Sequence, residues 1–194
     1  MPVIAIAGQP TAGSSIVAKL LAKKLKLKHF SAGDYFKKKA KSVSKKGRTD
    51  AKGVNPLTKR TTEFLRDSTG GSQSFHNKLD ELQKKNAKKG RVVIDSKLAI
   101  KMLAEYADLK IWVKCDKKIR AERIAGREDI SIKEAEKILE EREKTERSVF
   151  KRIYGFDTFD QEKDADLVID STNKTPEQIV DEIVAAYKSR SNKR

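Results

Sequence analysis

The chain has 194 residues, 37% hydrophobic and 37% charged, with 44 Lys and Arg against 28 Asp and Glu and a net charge of +16. That length suits one domain with a real core, and no apolar run approaches the ~20 residues of a helical membrane span, so the chain reads as a soluble protein. A single cysteine, Cys115, excludes a disulfide-stapled scaffold and reads as a buried thiol in a reducing cytoplasm.

Val3–Ala7 is a short apolar run ending at Gly8, which predicts a buried parallel strand. With no basic flank before it, the N-terminus does not read as a signal peptide. Ile16, Val17, Leu20, Leu21 and Leu25 follow at helical spacing. His29–Ser31 is a brief second strand, and Gly33-Asp34 opens a second helix running to residue 46. Residues 47–73 carry four of the ten glycines and Pro56, so they read as an irregular insertion with a short helix over 61–66 at best. A helix is predicted from Ser74 to Lys89, closed by Gly90. RVVID (91–95) is a third strand, LAIKMLAEYA (98–107) a helix and LKIWVKC (109–115) a fourth strand. A charged helical stretch spans Lys117–Tyr154, with a break near 126–130 and Ser131 placed to cap at Glu134. ADLVIDS (165–171) is a fifth strand, and Pro176 opens a last helix where its missing N–H costs nothing. This alternation predicts a three-layer α/β/α sandwich on a five-stranded parallel sheet.

The first strand, Gly8-Gln9-Pro10-Thr11-Ala12-Gly13-Ser14-Ser15 and then a helix form the context of a phosphate-gripping loop, G-x-x-x-x-G. Glycines let successive backbone N–H groups turn inward, and the helix N-terminus adds positive partial charge. Ser15 would offer its hydroxyl to Mg²⁺, but position 14, the usual site of lysine, is Ser14. The plain alternative is a glycine-bearing turn after a strand. Charge is also uneven: residues 23–60 hold 14 Lys and Arg against Asp34 and Asp50. Such a stretch attracts polyanions such as nucleotides, RNA or a ribosome, or else forms solvated helix faces. His29 and His76 are isolated, and no metal-ligand cluster is evident.

Beyond the loop, the chain carries SAGDYFK (31–37), Leu79-Asp80-x-x-Gln83, VVIDSKLA (92–99), LKIWV (109–113), RAERIAGRE (120–128), YGFD (154–157) and DLVI (166–169). In this order and spacing it resembles archaeal-type cytidylate kinase, a nucleoside monophosphate kinase of the P-loop superfamily, over nearly its full length. That branch often has a hydroxyl residue in the lysine slot. The resemblance implies ATP and Mg²⁺, a core of about residues 1–32, 90–118 and 150–190, an acceptor-binding insertion of about 33–89 and a lid of about 119–149. It places Ser31, Asp34, Lys37 and Lys97 in the acceptor site, the two lysines standing where the family has arginine. Asp80 and Gln83 share a helix face and would read the polar edge of cytosine, and Asp95 with Ser15 would orient Mg²⁺. Arg120, Arg123 and Arg127, on the lid, would meet the transferring phosphoryl group and offset the loss of charge at Ser14. Where the family carries arginine then tyrosine, this chain has Val149-Phe150, and Arg147 or Arg152 stands in; Asp157 closes the acceptor set.

The expectation is a cytoplasmic, monomeric enzyme phosphorylating CMP or dCMP. The alternatives are a kinase-like nucleotide-binding protein that contacts RNA or a ribosome through its basic face, and a kinase of other base specificity.

Overall fold

The computed structural model describes residues 2–43 and 57–191. Five parallel strands, β1 (Val3–Gly8), β2 (Lys28–Ser31), β3 (Val92–Asp95), β4 (Leu109–Lys114) and β5 (Leu167–Asp170), form one sheet in the order β2-β3-β1-β4-β5. β1 is central, with Ile6 opposite Asp95 on one side and Ile111 on the other. The pleat sends its side chains alternately to both faces. Ile4 and Ile6 pack with Val17 and Leu21 of α1 (Ser14–Lys24) and Ile179, Val180 and Ile183 of α8 (Pro176–Ser191). Val3, Ala5 and Ala7 face Ala87 of α4 (Gln73–Lys89), Ile100 of α5 (Ala99–Met102) and Trp112. The sheet is therefore covered on both sides, as predicted.

The remaining helices stand off this sandwich. α2 (Ala32–Val43) and α3 (Leu57–Arg66) precede α4, and α6 (Lys117–Glu128) pairs with α7 (Ile132–Tyr154). Ala121, Ile124, Ala135 and Leu139 close the α6–α7 seam. Ser131 caps α7 by accepting from the Glu134 N–H at 3.2 Å, and Ser72 caps α4 through Phe75 N–H. Among the described residues no helix is long and apolar enough to cross a membrane.

Four local expectations change. α3 begins at Leu57, ahead of the short helix expected over 61–66, because Thr58, Thr62, Phe64 and Leu65 give it a buried face. The rest of the expected irregular stretch up to residue 56, the last residues of the second helix and part of the basic 23–60 segment lie outside the described residues. The helix expected over 98–107 is only one turn, Ala99–Met102. The chain must turn back at once into β4, where Asp108 accepts from Val3 N–H at 2.9 Å and donates its own N–H to Val3 O. Ile16 is 51% exposed rather than on the apolar face of α1. A 3₁₀ helix, Thr158–Asp164, was not anticipated. Its Gln161, fully buried, donates to the carbonyls of Lys97 and Thr158 at 2.8 and 2.9 Å and so anchors the loop after β3.

Candidate active site

The glycine-bearing loop leaves the carboxyl end of the central strand. Gly8 is required by packing, since a Cβ there would lie 2.3 Å from the Val113 carbonyl oxygen. Gln9 ties the loop to β4: its N–H donates to Val113 O at 3.0 Å and its Oε1 accepts from Cys115 N–H at 2.9 Å. Thr11 adopts a left-handed conformation with φ 61°, and its hydroxyl lies 2.7 and 3.1 Å from the carbonyls of Pro10 and Arg120. Ala12 is buried beneath the loop, and Gly13, with φ 98°, is the N-cap of α1 and supplies no capping side chain. The first turn of α1 thus begins with Ser14 and Ser15 and an uncapped N-terminus, the arrangement that favours an anion.

Around this loop stand groups delivered by other elements. Asp95, at the end of β3, is 4% exposed. Burial pushes its pKa up, against the hydroxyls of Ser15 and Ser31 and the charges of His29 and Lys37, which pull it down. Ser31 Oγ lies 3.3 Å from Asp95 Oδ2 and also accepts the Asp34 N–H at 3.1 Å, so the residue caps α2 and faces the site at once. Lys97, two residues beyond β3, sends Nζ to within 3.3 Å of the Gly8 carbonyl and 3.1 Å of Glu146 Oε2. Glu146 Oε1 accepts from Arg142 Nε at 2.8 Å. Burial lowers the Lys97 pKa, with the Glu146 charge opposing; burial would raise that of Glu146, but Lys97 and Arg142 outweigh it and hold it low.

The three arginines of α6 go to three different places. Arg120, 4% exposed, donates to Cys115 O at 3.0 Å and Pro10 O at 3.3 Å and pairs with Glu143. Arg123 donates to Ala12 O at 3.2 Å and Ser171 O at 2.9 Å, supporting the loop from behind. Arg127 bonds Thr58 Oγ1 at 2.6 Å and Glu128 at 2.7 Å. Glu128 also accepts the Thr58 N–H at 3.1 Å, clasping the end of α6 to the start of α3.

The other residues expected on the acceptor side spread over α2, α4 and α7. Lys37 pairs with Asp34 at 3.0 Å. Asp80 accepts from Gln83 Nε2 at 3.1 Å and from the Tyr154 hydroxyl at 2.7 Å. Arg147 pairs with Asp157 at 2.6 Å and lies 4.8 Å over the Phe159 ring, while Arg152 donates to Gly71 O at 3.0 Å. Val149 and Phe150 pack with Leu65 and Leu98 in a small apolar cluster. The guanidinium joined to the Lys97 centre is therefore that of Arg142, not those of Arg147 or Arg152.

Nothing in the sequence assigns a role to Arg142, Glu146, Tyr154, Gln161 or Ser171, which the fold brings to this site or its supports. Arg142 and Glu146 sit in a run, EREKTER, where six of seven residues are charged and nothing marks out this pair. A polar residue four positions from an arginine is the only signal, and exposed helices carry the same spacing.

Residues 3–173 match the model of the cytidylate kinase-like family. The chain is similar to cytidylate kinase of Ignicoccus hospitalis, 33% identical over 94% of this chain and 97% of the relative. It is 31% identical to that of Methanopyrus kandleri over 95% and 92%, and 34% identical to that of Methanocaldococcus jannaschii over 88% of each. Among solved structures it resembles an uncharacterized protein of Eubacterium ventriosum, with TM-score 0.64, 19% identity and 97% and 99% coverage. It also resembles shikimate kinase of Aquifex aeolicus, with TM-score 0.55, 17% identity and 97% and 98% coverage. The structures share the fold, and the sequence match runs from the first strand to just past the fifth: the chain belongs to the cytidylate kinase-like family.

Proposed function

We propose that the protein is a cytoplasmic, monomeric cytidylate kinase that transfers the terminal phosphoryl group of ATP to CMP or dCMP. One observation carries this reading. An uncapped, glycine-bearing helix entry, a buried carboxylate and a half-buried lysine converge at the carboxyl ends of β1 and β3. Ligands of open parallel sheets bind outside those strand ends.

In this reading Gly8, Gln9, Pro10, Thr11, Ala12, Gly13, Ser14 and Ser15 wrap the ATP phosphates. Ser15 and Asp95 suit magnesium, being hard oxygen donors, and a cation beside Asp95 would offset the burial that disfavours its charge. The ion, when bound, neutralises charge on the phosphates. Lys97 and Arg142 share the carboxylate Glu146, with Asp95 the second carboxylate near Lys97, and the Lys97 ammonium brings its positive charge to the Gly8 carbonyl of the loop. That charge takes over the duty of the lysine missing at position 14. Arg127 leaves Thr58 to reach the transferring group, while Arg120 and Arg123 hold the loop in shape.

Ser31, Asp34, Lys37, Arg147, Arg152 and Asp157 belong to the acceptor side, and Asp80 and Gln83 face the base. The insertion of about 33–89 and the lid of about 119–149 close over the core formed by 1–32, 90–118 and 150–190. A phosphate oxygen of the acceptor attacks the terminal phosphorus of ATP in line, the bond to the bridging oxygen breaks, and ADP leaves. Positioning and electrostatics carry this chemistry, and no separate base is needed.

The test is ADP release from ATP and Mg²⁺ with CMP, dCMP, UMP, AMP and GMP supplied separately. Turnover with the cytidine nucleotides is expected. ATP binding without turnover on any acceptor would replace the reading with a loop that grips nucleotide and does not react.

A further inference from the structure

The inner face of α4 carries three polar side chains, His76, Asp80 and Gln83, at spacings of four and three. His76 is neutral and already engaged: burial lowers its pKa, and its Nε2 lies 3.0 Å from the Gly70 carbonyl, which can only accept. Asp80 uses each carboxylate oxygen once, Oδ1 for Gln83 Nε2 and Oδ2 for the Tyr154 hydroxyl. Burial and the neighbouring carboxylate hold the Tyr154 pKa far above the usual phenol range, so that hydroxyl stays a donor. Gln83 is 1% exposed, and among the described residues its Oε1 has no hydrogen-bond partner.

That orphan oxygen is not an arbitrary choice between two amide orientations. Burial raises the Asp80 pKa, while the Tyr154 hydroxyl and the Lys84 charge pull it down and favour the carboxylate. A carboxylate accepts and never donates, so it draws the NH₂ of the amide toward Asp80 and leaves the carbonyl facing away. A buried acceptor left unmatched is costly, and a ligand that donates there removes the cost.

We infer that Asp80, held in place by Tyr154, sets base specificity by locking the Gln83 amide in the orientation that accepts from a 4-amino pyrimidine and rejects a 4-oxo one. The inference rests on the reading of this α4 face as the acceptor-base side of a kinase. The free amide edge offers one acceptor, Oε1, and the second N–H of Nε2. Cytosine presents the complement, an amino N–H at C4 beside a bare ring nitrogen N3. Uracil presents the reverse, a carbonyl at C4 beside N3–H. To pair with it the amide would have to flip, which aims Oε1 at the Asp80 carboxylate, acceptor against acceptor. Asp80 thus acts through Gln83 as a positioning residue. Tyr154 fixes Asp80 in turn, and its ring is held by contacts to His76 and Phe150 at 5.8 and 6.2 Å between centroids.

The experiment compares CMP and UMP for wild type, Asp80→Asn and Tyr154→Phe, by kcat/KM and by calorimetric Kd. Asparagine is isosteric and can donate or accept, so it lets the Gln83 amide flip. The CMP:UMP ratio is expected to fall about tenfold or more in Asp80→Asn, chiefly through better use of UMP, and by less in Tyr154→Phe. A loss that strikes both nucleotides in equal proportion would mean a structural role and would overturn the inference. Gln83→Leu removes both amide atoms and should bring the two bases level; an undiminished CMP preference there overturns it too. If wild type binds CMP over UMP yet turns neither over, the kinase reading fails and this inference stands. Turnover of both with no preference does the opposite.

Discussion

Lys97 Nζ lies 3.1 Å from Glu146 Oε2, so a residue just past β3 is paired with one in the middle of α7, 49 positions later. Nζ also reaches the carbonyl of Gly8, the first residue of the glycine-bearing loop. One carboxylate therefore links α7 to the segment after β3 and, through Lys97, to the loop. Glu146 is 5% exposed and serves two cations, so its removal leaves Arg142 and Lys97 without their shared partner, with Asp95 the remaining carboxylate acting on Lys97.

Glu146→Gln is expected to destabilise the fold by about 2 kcal/mol, since two half-buried cations lose the carboxylate that accepts from them. Urea denaturation of the variant measures this. Lys97→Met should lower kcat more than it lowers stability, because the charge beside the loop is lost; Lys97→Arg should recover part of the rate. Equal kcat in Lys97→Met and wild type would remove Lys97 from the reaction.

Arg127 differs from its two helix neighbours in having no bond to the loop, and its side chain is half exposed. Arg127→Ala is expected to lower kcat about a hundredfold with little change in the KM for ATP, as for one lost donor at a site of developing charge. Arg123→Ala should lower kcat and also raise the KM for ATP, since it supports the Ala12 carbonyl and Ser171. Steady-state kinetics on the two variants distinguish the roles, and unchanged turnover in both would sink the lid assignment.

Ser15→Ala removes a hydroxyl that lies with Asp95 at the loop. The half-saturating magnesium concentration is expected to rise, with ATP binding in the absence of metal unaffected. A magnesium titration of ADP release makes the comparison; superimposable curves would exclude Ser15 from metal binding.

His76 is held neutral by burial, with Arg152 adding to the effect, so its folded pKa lies below the ordinary value of 6.5. As pH falls through 6.5 the unfolded chain takes up a proton that the folded chain does not, so stability is full above this window and declines below it. The decline approaches about 1.4 kcal/mol per pH unit for one proton. Thermal unfolding between pH 5 and 8 should show a fall in wild type that His76→Gln lacks. The carboxylates whose pKa is lowered, such as Asp164 and Asp170, lose their contribution further down in pH and do not mimic it.

Much of the active-site frame was legible because it depends on local order along the chain. Apolar runs marked four of the five strands, the second being legible only as the brief His29–Ser31 between two helical patterns, and Gly8 and Gly13 marked a loop whose backbone has to approach β4 and turn left-handed. Ser131 and Pro176 marked helix starts for reasons that act within one turn. What was missed depends on distance in sequence. Val149 stands where the family has arginine; Arg147 and Arg152 beside it bond Asp157 and Gly71, and the guanidinium that reaches the Lys97–Glu146 pair is that of Arg142, which nothing local singles out.

The sequence by itself determined the sandwich, the parallel sheet and the place of the glycine-bearing loop at the carboxyl end of the first strand, because hydrophobic period and glycine spacing act between neighbours. Only the tertiary structure decided which charges in the crowded α6 and α7 face the loop. Helical spacing puts Arg120, Arg123 and Arg127 on similar terms, and it makes Arg142 and Glu146 look like any surface pair. Burial separates them: a charge taken out of water must find a partner, and those partners, Gly8, Lys97, Ser171 and Thr58, come from other elements that the fold alone brings near.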